Sequence, residues 1–118
     1  MHFNHTLIKH NNDSIVIEMP LSKDMIVFDG HFRTVAIMPA VAQIYIVEKM
    51  ARKYLGLTGK FTSMRQLKFS GPICPRPNTS ILINIIFNKS KQQIIFEIHE
   101  NETLKSKGRL NYCDGLQQ

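Results

Sequence analysis

Apolar and polar residues alternate early in this chain and again throughout its second half. SIVIEM, residues 14–19, alternates in part and is rich in β-branched types, so it reads as a strand that Pro20 stops. MRQLKFSG, residues 64–71, alternates again, and PICPRPNT, residues 72–79, is a loop punctuated by three prolines. SILINIIF (80–87) and QQIIFEIHE (92–100) are strands joined by NKSK, a four-residue hairpin connection. A last strand runs from about Thr103 to Tyr112, and DGLQQ is a frayed tail.

Between these regions the period changes. Pro39 fits the first turn of a helix, where its missing N–H costs nothing. From Ala40 to Leu55 the chain reads AVAQIYIVEKMARKYL, with Ala40, Ile44, Val47, Ala51 and Tyr54 at helical spacing. Glu48, Lys49, Arg52 and Lys53 hold the exposed part, Gly56 is a C-cap, and the basic last turns suit the helix dipole. The first two turns are apolar nearly all round apart from Gln43, which predicts a helix wrapped by other structure. Residues 21–37 read as turn-like, with an apolar patch from Met25 to Phe28 and Gly30 as punctuation. Strand, long helix, then about four strands predicts an α+β domain over residues 1–118, an antiparallel sheet of five or six strands curled around one helix.

The composition narrows the function classes. A chain of 118 residues with 43% apolar content is one folded domain. No apolar run approaches the roughly 20 residues that cross a bilayer, and MHFNHTLIKHNND lacks the apolar core of a signal peptide. The expectation is a cytoplasmic protein with no membrane segment. Fifteen Lys plus Arg against nine Asp plus Glu leaves +6, which suits an anionic partner. No zinc-finger spacing, RRM-type aromatic motif or helix-turn-helix is evident, so nucleic acid is not expected. A membrane surface and an acidic carrier protein both remain compatible with the charge.

Metal and thiol chemistry find little support. His2, His5 and His10 have no carboxylate or cysteine at ligand spacing, and Cys74 and Cys113 have no metal-like separation. Cys74 lacks a base partner and reads as a structural thiol, His99 as a sheet-face residue, and Met50 and Tyr54 as core.

The densest chemistry lies in FDGHFRTVAIMPAVAQIY, residues 28–45. F-x-G-H-F, then a proline eight residues after the histidine, then V-x-Q, resembles the signature of the FabA/FabZ hot-dog superfamily of 3-hydroxyacyl-thioester dehydratases. The matching residues are Phe28, Gly30, His31, Phe32, Pro39, Val41 and Gln43, and the nearest branch is the short ApeI-like dehydratases of aryl polyene pathways. Leu67, Lys68, Phe69, Pro72 and Pro75 resemble the family's second characteristic segment, so the likeness spans nearly the whole chain.

The resemblance implies a hot-dog fold and elimination of water from an acyl thioester held by acyl carrier protein. It implies a dimer, either of two copies or with a related hot-dog protein, and no metal or redox cofactor. His31 suits the base that takes the C2 proton. Gly30 and the amides of Ala40 and Val41 would hold the thioester oxygen at the positive end of the helix. Arg33, Lys49, Arg52, Lys53 and Arg76 are candidates for the surface that receives the carrier.

Some positions depart from the pattern. The family's helix carboxylate, fourteen residues after the histidine, stands here as Tyr45. Tyr45 is a weaker proton donor, with a reference pKa of about 10. Glu48 lies one turn further, about 60° around the helix, and could supply the acid, although an ion pair with Arg52 is its plainer role. Arg33 and Thr34 replace the family's proline and glycine, and Ala40 replaces the glycine that opens the helix. A non-catalytic hot-dog subunit that pairs with an active dehydratase, or a hot-dog thioesterase, would use the same scaffold.

Overall fold

The computed structural model describes residues 3–21, 37–76 and 78–114. Six strands and one helix follow in the order β1 (Thr6–His10), β2 (Ser14–Pro20), α1 (Ala40–Leu55), β3 (Lys60–Phe69), β4 (Ser80–Asn88), β5 (Gln93–Glu100) and β6 (Thr103–Cys113). The strands form one antiparallel sheet in the order β1-β2-β4-β5-β6-β3, leaving β1 and β3 as edges. The sheet curls about the helix in a hot-dog fold.

Alternation explains which face is dry. Ile15, Ile17 and Met19 of β2 and Ile81, Ile83, Ile85 and Phe87 of β4 point inward and are buried. Ile94, Phe96 and Ile98 of β5 continue this floor, and Leu110 and Tyr112 of β6 close it. Ile46, Val47, Met50, Ala51 and Leu55 of the helix pack on it. Each such side chain contributes about 1.5–3 kcal/mol on burial, so the floor and this helix stripe carry most of the stability.

The helix begins and ends where its sequence says it should. Pro39 is the N-cap, and Gly56 caps the other end in the left-handed region at φ 72°, its N–H donating to the Ala51 carbonyl. The buried stripe, however, is rotated from the predicted one. Ala40 is exposed and Ile44 and Tyr54 are only half-buried, whereas Gln43, the one polar residue of the first two turns, is buried. Gln43 lies inward because its Nε2 donates to the Met38 carbonyl at 3.2 Å, which ties the first turns back to the helix entry.

One strand went unread. β1 sits in the polar segment His2–Asp13 and pairs with β2 across a bulge between Leu7 and Lys9. Its hold on the helix is polar: His5 bonds the Phe3 carbonyl at 2.6 Å and the Tyr54 hydroxyl at 2.7 Å, and His10 Nε2 donates to the Tyr54 carbonyl at 3.0 Å. Both imidazoles also meet the Tyr54 ring edge to face. These histidines fasten an edge strand to the end of the helix.

Candidate active site

The helix entry is built from the loop between β3 and β4. Met38 N–H donates to the Ile73 carbonyl at 2.8 Å, and Leu21 N–H donates to the Thr79 carbonyl at 3.0 Å. Residues 22–36 connect these two anchored points. Gly30, His31 and Arg33 fall in that segment and lie outside the described residues.

At the entry itself no side chain among the described residues caps the helix. The N–H groups of Ala42 and Gln43 reach the Pro39 carbonyl at 3.0 and 3.1 Å. The Ala40 and Val41 amides precede them and have no acceptor within the helix, as at any helix start. They combine donor capacity with the positive end of the dipole.

Beside those amides the helix presents apolar surface to the outside. Val41 is 74% exposed and Tyr45 43%, the latter with its ring edge to face with Phe3 at 6.1 Å. A matching strip runs along edge strand β3. Phe61, Met64 and Phe69 lie opposite the buried residues Tyr112, Leu110 and Ser106 of β6 and so share their helix-side face, yet each is more than 40% exposed. The sheet's apolar face therefore extends one strand beyond what the helix covers.

Glu48 faces a different set of partners. Its Oε2 accepts a hydrogen bond from the Tyr112 hydroxyl at 2.7 Å and lies 3.7 Å from Arg52 Nη2. Burial first, and then the Glu48 carboxylate, push the Tyr112 phenol well above its ordinary range. Arg52 donates to the carbonyls of Leu57 and Gly59 at 3.2 and 2.9 Å and stacks 5.6 Å over the Tyr112 ring. The pair read from the i, i+4 spacing is present, within a network that ties the helix to β6 and to the turn before β3.

Of the basic residues singled out in the sequence, several are engaged locally. Lys53 Nζ lies over the Tyr54 ring at 5.4 Å, and Lys49 is half-buried. Arg76 Nη1 lies 3.7 Å from Glu100, a carboxylate that is 98% buried and also 4.0 Å from Lys105 Nζ. Among the described residues neither Glu100 oxygen nor the buried Ser106 hydroxyl has a hydrogen-bond partner. Sequence reading missed Glu100, whose only signal is an inward position in the alternation of β5.

An antiparallel sheet curled about one helix, with an apolar strip on the edge strand beside the helix opening, is the hot-dog architecture. The chain belongs to the ApeI-like family, described as ApeI dehydratase, whose match covers residues 7–109. The dehydratase heterocomplex ApeI:P from Xenorhabdus doucetiae superposes with a TM-score of 0.86 at 24% identity, over 96% of this chain and 99% of that one. An uncharacterized protein from Erwinia carotovora subsp. atroseptica gives 0.83 at 22% identity, over 99% and 100%. The H959F variant of the PpsC dehydratase domain from Mycobacterium tuberculosis gives 0.71 at 15% identity, over 96% and 44%. No curated protein sequence matches the chain. No helix among the described residues is long and apolar enough to cross a membrane.

Proposed function

We propose that the protein is a dehydratase-type subunit that receives a 3-hydroxyacyl thioester from an acyl carrier protein, in fatty-acid, polyketide or polyene synthesis. The observation that carries this reading is the uncovered apolar strip of Val41, Tyr45, Phe61, Met64 and Phe69 beside the helix amides, in a chain of the ApeI-like family. An acyl channel needs apolar walls and a few polar groups at its reacting end. A second hot-dog chain laid along the strip would supply the missing wall. That chain is a second copy or a related protein, and the Xenorhabdus relative is itself described as a heterocomplex.

In this reading His31 takes the proton from C2, and the electron pair moves to form the C2–C3 double bond. The C3–O bond breaks, and the hydroxyl leaves as water with a proton from Tyr45 or Glu48. The Ala40 and Val41 amides, with Gly30, hold the thioester oxygen as negative charge develops on it. The elimination needs neither metal nor redox cofactor. Purified protein incubated with 3-hydroxyacyl and enoyl thioesters should interconvert them, followed by the absorbance of the conjugated product. No conversion in either direction, by the protein alone or with a related hot-dog partner, removes the catalytic reading.

A specific observation favours a second reading. The Glu48 carboxylate is already held by Tyr112 and Arg52, and a phenol stands where the family has its acid. A non-catalytic subunit that shapes the channel of an active partner fits those two facts.

A further inference from the structure

The outer face of the sheet, away from the helix, carries an arrangement of charge that folding alone does not favour. Arg65 of β3 lies directly opposite Arg109 of β6, and Lys68 lies directly opposite Lys107. Like charges directly opposed across a strand pair destabilise a sheet. Strands β3 and β6 together hold Lys60, Arg65, Lys68, Lys105, Lys107 and Arg109 and no acidic residue. Single lysines on an edge strand are a common guard against aggregation. That guard calls for no matching cations on the interior strand β6.

A bulge makes the cluster possible. Residues 65 and 68 are three apart and in a regular strand would point to opposite faces. Between them Gln66 and Leu67 oppose the single residue Gly108, with Gln66 at φ 55°. The extra residue brings Lys68 back to the face of Arg65, and Leu67 turns inward over Gly108. All four cations therefore share one face, and Lys107 and Arg109 line a hollow of about 320 Å³ there with Gln66, Ile95 and Glu97.

Little within the chain neutralises them. Arg109 Nη1 donates to the Gln93 side-chain oxygen Oε1 at 2.9 Å, a neutral partner. Glu97 is opposite Lys107 in register, but its Oε1 lies 3.7 Å from His99 Nε2. Among the described residues no carboxylate pairs with Arg65, Lys68 or Lys107. By contrast Arg52, Arg76 and Lys53 are engaged by their own neighbours.

We propose that this outer face of β3 and β6, centred on Arg65, Lys68, Lys107 and Arg109, docks an acidic protein surface, that of the carrier delivering the thioester. The proposal rests on the carrier-fed reading above and places the landing surface on the sheet instead of on the helix. Lys107 and Arg109 stand about 7 Å apart along β6, with Lys68 and Arg65 beside them, so that the patch can meet several carboxylates of an acidic surface at once. Each arginine can fork onto a carboxylate. A nucleic acid fits less well, because base stacking needs exposed aromatic rings, and the neighbours here are Ile95, Glu97 and Gln93. Glu97 would also repel a phosphate chain.

The test uses the full-length protein and a purified acidic acyl carrier protein labelled for fluorescence anisotropy. A charge-neutral N-acetylcysteamine thioester measures the reaction without docking. Arg65→Glu with Lys107→Glu should weaken carrier binding by at least about tenfold at low salt, since surface charge pairs steer and hold such complexes. The same variant should keep the wild-type rate with the neutral thioester. It should melt close to wild type, because Arg65→Glu replaces the like pair with Arg109 by an opposite one, while Lys107→Glu gains an opposite partner in Lys68 and loses one in Glu97. Wild-type affinity in that variant overturns the proposal, as does a loss confined to Lys49→Glu with Lys53→Glu on the helix. Tighter binding of a single-stranded oligonucleotide than of the carrier also overturns it. No turnover of the neutral thioester by wild type, with binding lost on the sheet variant, would instead strike the catalytic reading and leave the surface standing.

Discussion

The Tyr112 hydroxyl donates to Glu48 Oε2 at 2.7 Å, joining the last strand to the middle of the helix. This contact decides what Glu48 is free to do. A carboxylate that accepts a phenolic hydrogen bond on one side and faces Arg52 on the other is held in place by both. Its plainest work is structural.

That contact gives the protein an alkaline limit. Burial and Glu48 both hold the Tyr112 proton in place, so its folded pKa lies above the unfolded value of about 10. Below pH 10 both states keep the proton and stability does not change. Above it the unfolded chain releases the proton and the folded one does not, so stability falls as pH rises. Urea titrations at pH 8, 9.5 and 10.5 should show the midpoint dropping in wild type. Tyr112→Phe should start about 1 kcal/mol lower from the lost bond and drop less steeply. Parallel slopes in the two proteins would sink this account.

The bulge makes a second, independent prediction. A Cβ on Gly108 would collide with the Leu67 side chain and come within 3.1 Å of Phe96 Cε2. Phe96 is 1% exposed and cannot step aside. Gly108→Ala should therefore destabilise by about 1–3 kcal/mol, the usual cost of overpacking a core. A melting temperature equal to wild type would show that the bulge repacks freely.

How much of this could be read beforehand depends on which residues carry the signal. The helix boundaries were legible because Pro39 and Gly56 each act locally, and β2, β4 and β5 because their buried apolar residues, mostly isoleucines, repeat every second residue. The alternation in the sequence begins only at Met64, four residues into β3, since the bulge at Gln66 and Leu67 breaks the pattern and only Leu67 is partly buried. β1 was not legible, because its attachment is made by His5 and His10 to Tyr54, about forty-five residues away, and not by an apolar stripe. The inward turn of Gln43 was hidden for a similar reason: a carbonyl at Met38 outweighs the side chain's polarity. At the candidate site Tyr45 could be singled out by its place in a pattern, but the Glu48–Tyr112 bond joins residues 64 apart.

The open strip on β3 should be an interface. Met64 is 46% exposed, on the helix-side face between Phe61 and Phe69. Met64→Asp would place a charge in the middle of any contact made there. Sedimentation at micromolar concentration should show wild type as a dimer, or as a dimer once a related hot-dog chain is added, and the variant as a folded monomer whose melting temperature no longer depends on protein concentration. A wild type that stays monomeric in both settings would leave the strip unexplained and remove the shared channel.

Position 45 separates the two functional readings. Removing the base with His31→Ala should lower any elimination about 10² to 10⁴-fold, the usual contribution of general base catalysis. If Tyr45 gives the proton to the leaving hydroxyl, Tyr45→Phe should lose turnover while thioester binding is unchanged. Tyr45→Asp would place a carboxyl group at the family's position and should raise the rate, because a carboxylic acid donates far more readily than a phenol. Tyr45 is 43% exposed, so neither change removes buried core. If Glu48 is the donor, Glu48→Gln should be the damaging change and Tyr45→Phe nearly silent. Glu48→Gln would also loosen Tyr112 and Arg52, so its melting curve has to be measured beside its rate. A loss of rate without a loss of stability would mark chemistry, and the reverse would mark structure. Should wild type, His31→Ala and Tyr45→Asp all be inert while the protein still pairs with an active hot-dog chain and alters that chain's rate, the non-catalytic subunit is the correct reading.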